Sequence, residues 1–379
     1  MRRNCLNSTV SSNTAPALDE LEVSVFGPGF GECVVVHLGQ GDWMVVDSCL
    51  NNTRAQPIAL EYLNSLGVDI ATQVRLVVLT HWHDDHIRGS AKVFSEALSA
   101  RFACSAALRN REFFSILAAS EQVRPVARDG SISEFESILE ELHRRNKRGV
   151  RRSQGGPDFW AQDGLPLFQS IGTGSATVTA LSPSSQTMTD AAARFGKLIP
   201  KVSSQIKRFP RSTPNDQSVA LLVQSPACSI LLGADLETVG DPQRGWQAIV
   251  DSPSRPQVMC DAIKVAHHGS ENGDHDDIWS TLMHPDPPAF VTPYASGKKP
   301  LPSEDDIQRL KSRTRQLYCT TWPPTRRPPR RNSSVQRTLR EMALSHRSVS
   351  KRVGQIRLRA SMTQQGIPTI QTFEGARQL

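Results

Sequence analysis

Three features of the sequence predict an α/β fold. Short runs rich in valine, leucine and isoleucine alternate with segments of helical spacing. Several runs are apolar throughout, as strands buried on both faces are. Histidines and carboxylates gather where such runs stop, the strand ends at which open α/β sheets build their sites. With 379 residues the chain can bury a substantial core, as one large domain or two smaller ones.

In chain order, residues 1–18 read as a disordered leader, since Met1 to Pro16 is polar and lacks the apolar stretch of a signal peptide. Leu21–Phe26, Cys33–Leu38 and Trp43–Asp47 follow as strands, separated by the glycine-rich loop 27–32 and a hairpin turn at 39–42. His37 ends a strand beside that turn and reads as structural or surface-exposed. Pro57 to Leu66 has helical spacing and leads through Gly67 to the apolar strand Leu76–Leu79. Ser90–Ala100 and Ser131–Arg145 read as helices, the second capped by Ser131 with Glu134 three residues on. Strands are expected at 176–181, 218–223, 228–232, 262–266, 288–293 and 316–320, with a loop at 197–215 and a helix at 303–313 capped by Ser303.

The chemistry concentrates after Thr80, in His81-Trp82-His83-Asp84-Asp85-His86. His81 and His83, two apart in extended backbone, project to one side and can grip one cation. Asp85 and His86 can grip a second. The pattern His81-x-His83-x-Asp85-His86 resembles the signature of the metallo-β-lactamase superfamily of metal-dependent hydrolases. The resemblance implies an αββα sandwich, two mixed sheets flanked by helices, over residues 19–320 with a helical and basic insertion at 122–174. It also gives roles to distant residues. Asp47 ends an early strand and corresponds to the carboxylate that braces the metal loop from behind. Asp235, after Leu231-Leu232-Gly233-Ala234, corresponds to the carboxylate bridging two cations, which offsets their mutual repulsion.

His267 and His268 follow the strand 262–266. Adjacent side chains diverge in extended backbone, so one histidine is a ligand and the other faces substrate; His268 is favoured as the ligand. Lys264 reads either as a contact for a substrate phosphate or as a structural lysine. Glu237 either orients a ligand or water, or lies on the surface. The combination Lys264-Val265-x-His267-His268-Gly269-Ser270, Gly233-x-Asp235-x-Glu237 and Asn215-x-x-Ser218 is similar to the hydrolase domain of ComEC-type DNA-uptake proteins. Two departures stand out. No well-placed histidine lies between the first motif and Asp235, since His143 sits in a charged helical segment, so the first cation site is left open. Lys299-Pro300-Leu301-Pro302 stands where the ComEC-type pattern has a His-Pro pair.

Composition adds a partner class. The net charge is +7 and the isoelectric point about 9.2, a balance that suits polyanions, nucleic acid above all. Arg148, Arg151 and Arg152 form a basic run that reads as a solvated loop or a phosphate-tracking arm. Residues 321–379 read as a basic extension, partly extended, with a possible closing strand at 354–360. Its Arg326, Arg327, Arg330 and Arg331, with arginines from Arg309 to Arg359 around them, suit DNA or an acidic protein surface. Trp322 and Tyr318 are candidates for stacking a base. Scattered cysteines and the lack of an 18-residue apolar run suggest a cytoplasmic protein without a membrane span.

The expected function is that of a metal-dependent hydrolase, most of all a nuclease cleaving DNA by attack of a metal-bound hydroxide, with two divalent ions, Zn or Mn. Asp85, His267 and Lys264 are its candidate catalytic residues, and His81, His83, Asp85, His86, Asp235 and His268 its candidate ligands. The alternatives are a phosphodiesterase of smaller, phosphorylcholine-ester-like substrates and a basic effector module within a larger complex.

Overall fold

The computed structural model describes residues 13–51, 56–109, 130–147, 156–172, 174–198, 215–296, 299–323 and 353–379, with Ser334 and Thr338. Its frame is a pair of eight-stranded mixed sheets. The first half of the chain lays down β1 (Glu20–Gly27), β2 (Cys33–His37), β3 (Trp43–Val46), β4 (Val74–Leu79), β5 (Arg101–Ser105) and β6 (Phe159–Ala161). The second half supplies β7 (Pro166–Gln169), β8 (Thr177–Ala180), β9 (Leu221–Gln224), β10 (Ser229–Leu232), β11 (Ala262–Lys264), β12 (Ala289–Val291) and β13 (Leu317–Cys319). Three strands close the structure: β14 (Gly354–Ser361), β15 (Thr369–Phe373) and β16 (Arg377–Gln378). The sheet orders are β15-β14-β1-β2-β3-β4-β5-β6 and β16-β13-β12-β11-β10-β9-β8-β7.

Side chains alternate across each strand, and both faces are buried. Val34, Val36, Met44, Val46, Leu76 and Val78 pack between the sheets against Val178, Leu221, Val223, Ile230 and Leu232. The intervening Val35, Trp43, Val45, Val77 and Leu79 pack outward beneath the helices Ile58–Ser65, Ser90–Glu96 and Gly130–Lys147. On the far side, Leu222, Leu231, Ile263 and Val291 pack against Gly245–Val250, Asp276–Thr281 and Glu304–Arg313. Layers therefore run helix, sheet, sheet, helix. Double burial explains why these strands read as unbroken apolar runs rather than alternating ones.

Several expectations change here. Ser185–Leu198 is a helix over a stretch that the sequence left unassigned up to residue 196, and it runs into the start of the loop expected at 197–215. The helix Gly130–Lys147 begins before Ser131, so no Ser131–Glu134 box starts it. Instead Ser131 Oγ donates to Asp84 Oδ1 at 2.6 Å, and Glu134 accepts from the backbone of Gly89 and Ala91 at 2.9 and 3.1 Å. The reciprocal cap expected at Ser303 is present, with Asp306.

The closing strand expected at 354–360 is present as β14, and the sandwich takes in strands beyond residue 320. β14 pairs antiparallel with β1 from Glu20↔Ser361 to Gly27↔Gly354, and β16 pairs with β13 in the other sheet. Arginines here and in the preceding helix and loop that the structure describes contact carboxylates, amides or aromatic rings. Arg357 is fully buried, stacked on Phe373 and bonded to Gln371 Oε1 at 2.7 Å. Arg359 pairs with Glu22 at 2.7 Å, Arg315 with Asp286 at 2.9 Å, and Arg313 with Asp276. The acids that pair with Arg359, Arg315 and Arg313 come from remote strands and loops. The aromatics do not offer a free platform: Arg377 covers Trp322, and Tyr318 packs against Phe290. Arg148, Arg151, Arg152, Arg326, Arg327, Arg330 and Arg331 lie outside the described residues.

Candidate metal centre

β4 ends at Leu79, and the chain runs through Thr80 to His83 before a single helical turn, Asp84–Ile87. Three backbone bonds seat this loop between neighbours: Val219 N to Thr80 O (3.1 Å), Glu32 N to Asp85 O (2.9 Å) and Ser48 N to His86 O (2.7 Å). The glycine-rich loop after β1 thus packs directly beneath it. Gly31, at φ 108°, has no room for a side chain, because a Cβ there would sit 2.7 Å from that of Cys49.

Asp47 fixes the imidazoles from behind. It receives the Thr80 amide at 2.8 Å, the Thr80 hydroxyl at 2.6 Å and His86 Nδ1 at 2.7 Å. With its proton given to Asp47, Thr80 Oγ1 can only accept from His81 Nδ1, 3.0 Å away. His268 Nδ1 donates to Thr292 O at 2.9 Å. All three rings therefore have Nδ1 engaged and Nε2 turned inward, the arrangement that fixes tautomer and direction for metal ligation.

The inward atoms converge with two carboxylates. His268 Nε2 lies 3.1 Å from Asp85 Oδ2 and 3.4 Å from Asp235 Oδ2. His86 Nε2 is 3.3 Å from Asp235 Oδ1, and His81 Nε2 is 3.7 Å from Asp235 Oδ2. Ligand atoms of Asp85, His86, Asp235 and His268 all fall within 4.8 Å of one another, as do those of His81, His83 and Asp235. Asp235 belongs to both groups. His81 Nε2, His86 Nε2 and Asp235 Oδ1 are buried without a hydrogen-bond partner among the described residues. Leaving three such atoms unsatisfied is costly, and a divalent cation in each group satisfies them. The imidazole and carboxylate donor set fits a divalent metal ion.

The electrostatics agree. Burial opposes charge on His268, yet Asp235 and Asp85 outweigh it and lift its pKa to about 10. Burial likewise opposes charge on His86, but Asp235, Asp85 and Asp47 hold its pKa well above the ordinary value. His81 moves down, through burial and the neighbouring His86 and His83. The carboxylates of Asp85 and Asp235 resist burial and are held low, by His86 and His268. Protons occupy in this cluster the electrostatic role that cations take.

The sequence placed Lys264 among the catalytic residues, and the structure does not. Lys264 is fully buried, with Nζ 2.5 Å from Glu32 Oε2 and donating to Ala234 O at 3.0 Å. It ties the turn carrying Asp235 to the glycine-rich loop and is not among the residues lining the cavity. His267 and His268 are not extended either. Both adopt left-handed backbone, φ 45° and 55°, at a cost of about 1–2 kcal/mol per residue. Arg309, counted in sequence with the basic tail, braces that turn by donating to Gly269 O at 2.7 Å.

The side chains still diverge. His268 joins the cluster, while His267 contacts Asn272 Oδ1 at 3.0 Å, Glu237 Oε1 at 3.1 Å and Asn215 Nδ2 at 3.1 Å. Glu237 therefore holds His267 and Asn215, and touches no ligand in the cluster. His143 is exposed on the helix Gly130–Lys147. The cluster opens into a cavity lined also by Phe30, Ser131, Asn215, His267, Tyr294 and Lys299. Sequence reasoning passed over Thr80, Glu32 and Thr292, whose one signal was their place at strand ends.

Comparison with known proteins bears on the same segment. The family model of the metallo-beta-lactamase superfamily matches residues 26–109, which include the whole first motif. The two mixed sheets flanked by helices are the αββα sandwich expected from sequence. Solved structures with similarity include a Cronobacter sakazakii metallo-beta-lactamase carrying a HARLDQ-motif mutation (14% identity, 62% of this chain and 64% of that one, TM-score 0.28). The chain thus spans under two thirds of that enzyme's length. Others are the metallo-beta-lactamase fold protein YhfI from Bacillus subtilis (11% identity, 79% and 95% coverage, TM-score 0.38) and the metallo-beta-lactamase SMB-1 (13%, 68% and 82%, 0.34). No curated protein sequence matches.

Proposed function

We propose that this chain is a metal-dependent hydrolase that cleaves phosphodiester bonds, with DNA as substrate. The observation that carries the reading is the pair of ligand groups sharing Asp235 beside an open cavity. When bound, divalent ions there would supply the attacking water at neutral pH and neutralise charge on the phosphoryl oxygens. The chain's own residues do the rest. Asp47, Thr80 and Thr292 O orient the imidazoles. Lys299, the single lysine or arginine among the described lining residues, offers the phosphate a positive charge in place of the buried Lys264. Phe30 and Tyr294, with ring centroids 5.5 Å apart, give an aromatic wall on which a base can stack. The net charge of +7 favours a polyanion. A cytoplasmic location is part of this reading.

Incubating purified protein with single- and double-stranded DNA plus Mn²⁺ or Zn²⁺ tests it. Cleavage lost in His83→Ala and Asp235→Ala supports the proposal; wild-type protein leaving DNA intact with either ion refutes it. A second reading has its own support. The described arginines at 309, 313, 315 and 359 pair with protein carboxylates, and Arg357 is buried against Gln371 and Phe373, which suits a smaller phosphodiester. Hydrolysis of bis-p-nitrophenyl phosphate with DNA untouched favours that one.

A further inference from the structure

Among the described residues, the first ligand group is His81, His83 and Asp235, with no third imidazole beside it. The structure offers another donor. Asn215 belongs to a single turn, Asn215–Gln217, that precedes β9 and is anchored beside the metal loop by Val219 N bonding to Thr80 O. Its side chain lines the same cavity as His83 and Asp235.

The direction of its amide is fixed. Glu237 Oε1 lies 3.0 Å from one terminal atom of Asn215, and a carboxylate only accepts, so that atom is Nδ2. Nδ2 also sits 3.1 Å from His267 Nε2. Asn272 Nδ2, 2.8 Å from the same Glu237 oxygen, helps hold the carboxylate still. Oδ1 is consequently turned away from this network. It is buried and has no hydrogen-bond partner among the described residues, on a residue only 9% exposed. A carbonyl oxygen held this way by a second residue is an acceptor prepared for something that is not protein.

We infer that Asn215 Oδ1 is the third protein ligand of the first cation, supplied in place of a third imidazole, and that Glu237 is its positioning residue. The inference rests on the metal-centre reading above. An amide oxygen is a harder donor than imidazole nitrogen, so the exchange narrows the site's preference for Zn²⁺ over Mn²⁺.

Calorimetric titration of metal-free protein with Mn²⁺, and separately with Zn²⁺, tests this without any turnover assay. Asn215→Ala is expected to weaken one of two binding events by about tenfold or more and to leave the other unchanged. Glu237→Gln, which frees the amide to rotate, is expected to weaken the same event by less. Asn215→His is expected to raise the Zn²⁺ to Mn²⁺ affinity ratio of that site, and it decides the matter should the alanine variant fail to give a wild-type near-ultraviolet spectrum. Two events of unchanged affinity in a folded Asn215→Ala protein overturn the inference, even if its KM for substrate rises. Absence of any binding by wild-type protein overturns the metal centre itself.

Discussion

Replacing Lys264 by methionine separates a lysine that serves chemistry from one that serves the fold. The ammonium is fully buried, and Glu32, its partner at 2.5 Å, is 2% exposed. In Lys264→Met the Glu32 carboxylate keeps the Thr292 hydroxyl as donor but loses its countercharge. Ala234 O also loses a donor, yet it retains the His267 amide at 3.0 Å. The dominant loss is therefore a stranded buried charge, about 3–5 kcal/mol. At about 2 °C per kcal/mol for a large domain, Tm should fall by about 6–10 °C. The double variant Glu32→Gln with Lys264→Met removes both charges and should recover most of that loss, since a buried pair contributes little net stability. Thermal melts of the three proteins by circular dichroism make the comparison. A single variant that melts with wild type while its phosphodiester turnover collapses would refute the reasoning and return Lys264 to the reaction.

Thr80→Val removes the hydroxyl that links Asp47 to His81 Nδ1, and should lower metal affinity by about 10–100-fold in calorimetric titration while the fold survives. Lys299→Met should raise KM for a phosphodiester and leave metal stoichiometry intact; if the substrate is DNA, the slope of log K against log salt should fall by about 0.7–0.9. In metal-free protein, His268 titrates near 10 against an ordinary 6.5, so the fold holds a proton the unfolded chain has released. That stabilisation is complete below pH 6.5 and is lost as pH rises towards 10, so Tm in EDTA should drop across this window; a flat profile counts against it.

The parts of the site that could be read from sequence share one property: each ligand follows an apolar strand within a few residues. His81 to His86 follow β4, Asp235 follows β10, and His268 follows β11. Strand ends in a sandwich must converge somewhere, so locality along the chain carried the information. What escaped depends on pairing between remote segments. Lys264 looks like any strand lysine until Glu32, more than two hundred residues away, is found against it. Arg357 and Arg359 look like a basic tail because Glu22, Gln371 and Phe373 are invisible from their neighbourhood. The helix Ser185–Leu198 escaped for a weaker reason: its buried side is little more than Thr187, Ala191 and Phe195, too faint a stripe to read.

The ladder between β1 and β14 joins residues more than three hundred positions apart, and β13 and β16 are paired in the opposite sheet. Between β13 and β14, residues 324–352 connect the two halves of this clasp. A protease that severed the connection would not release the terminal piece. The fragments would elute together from a sizing column and part only in denaturant, so an intact-looking particle could conceal a broken chain.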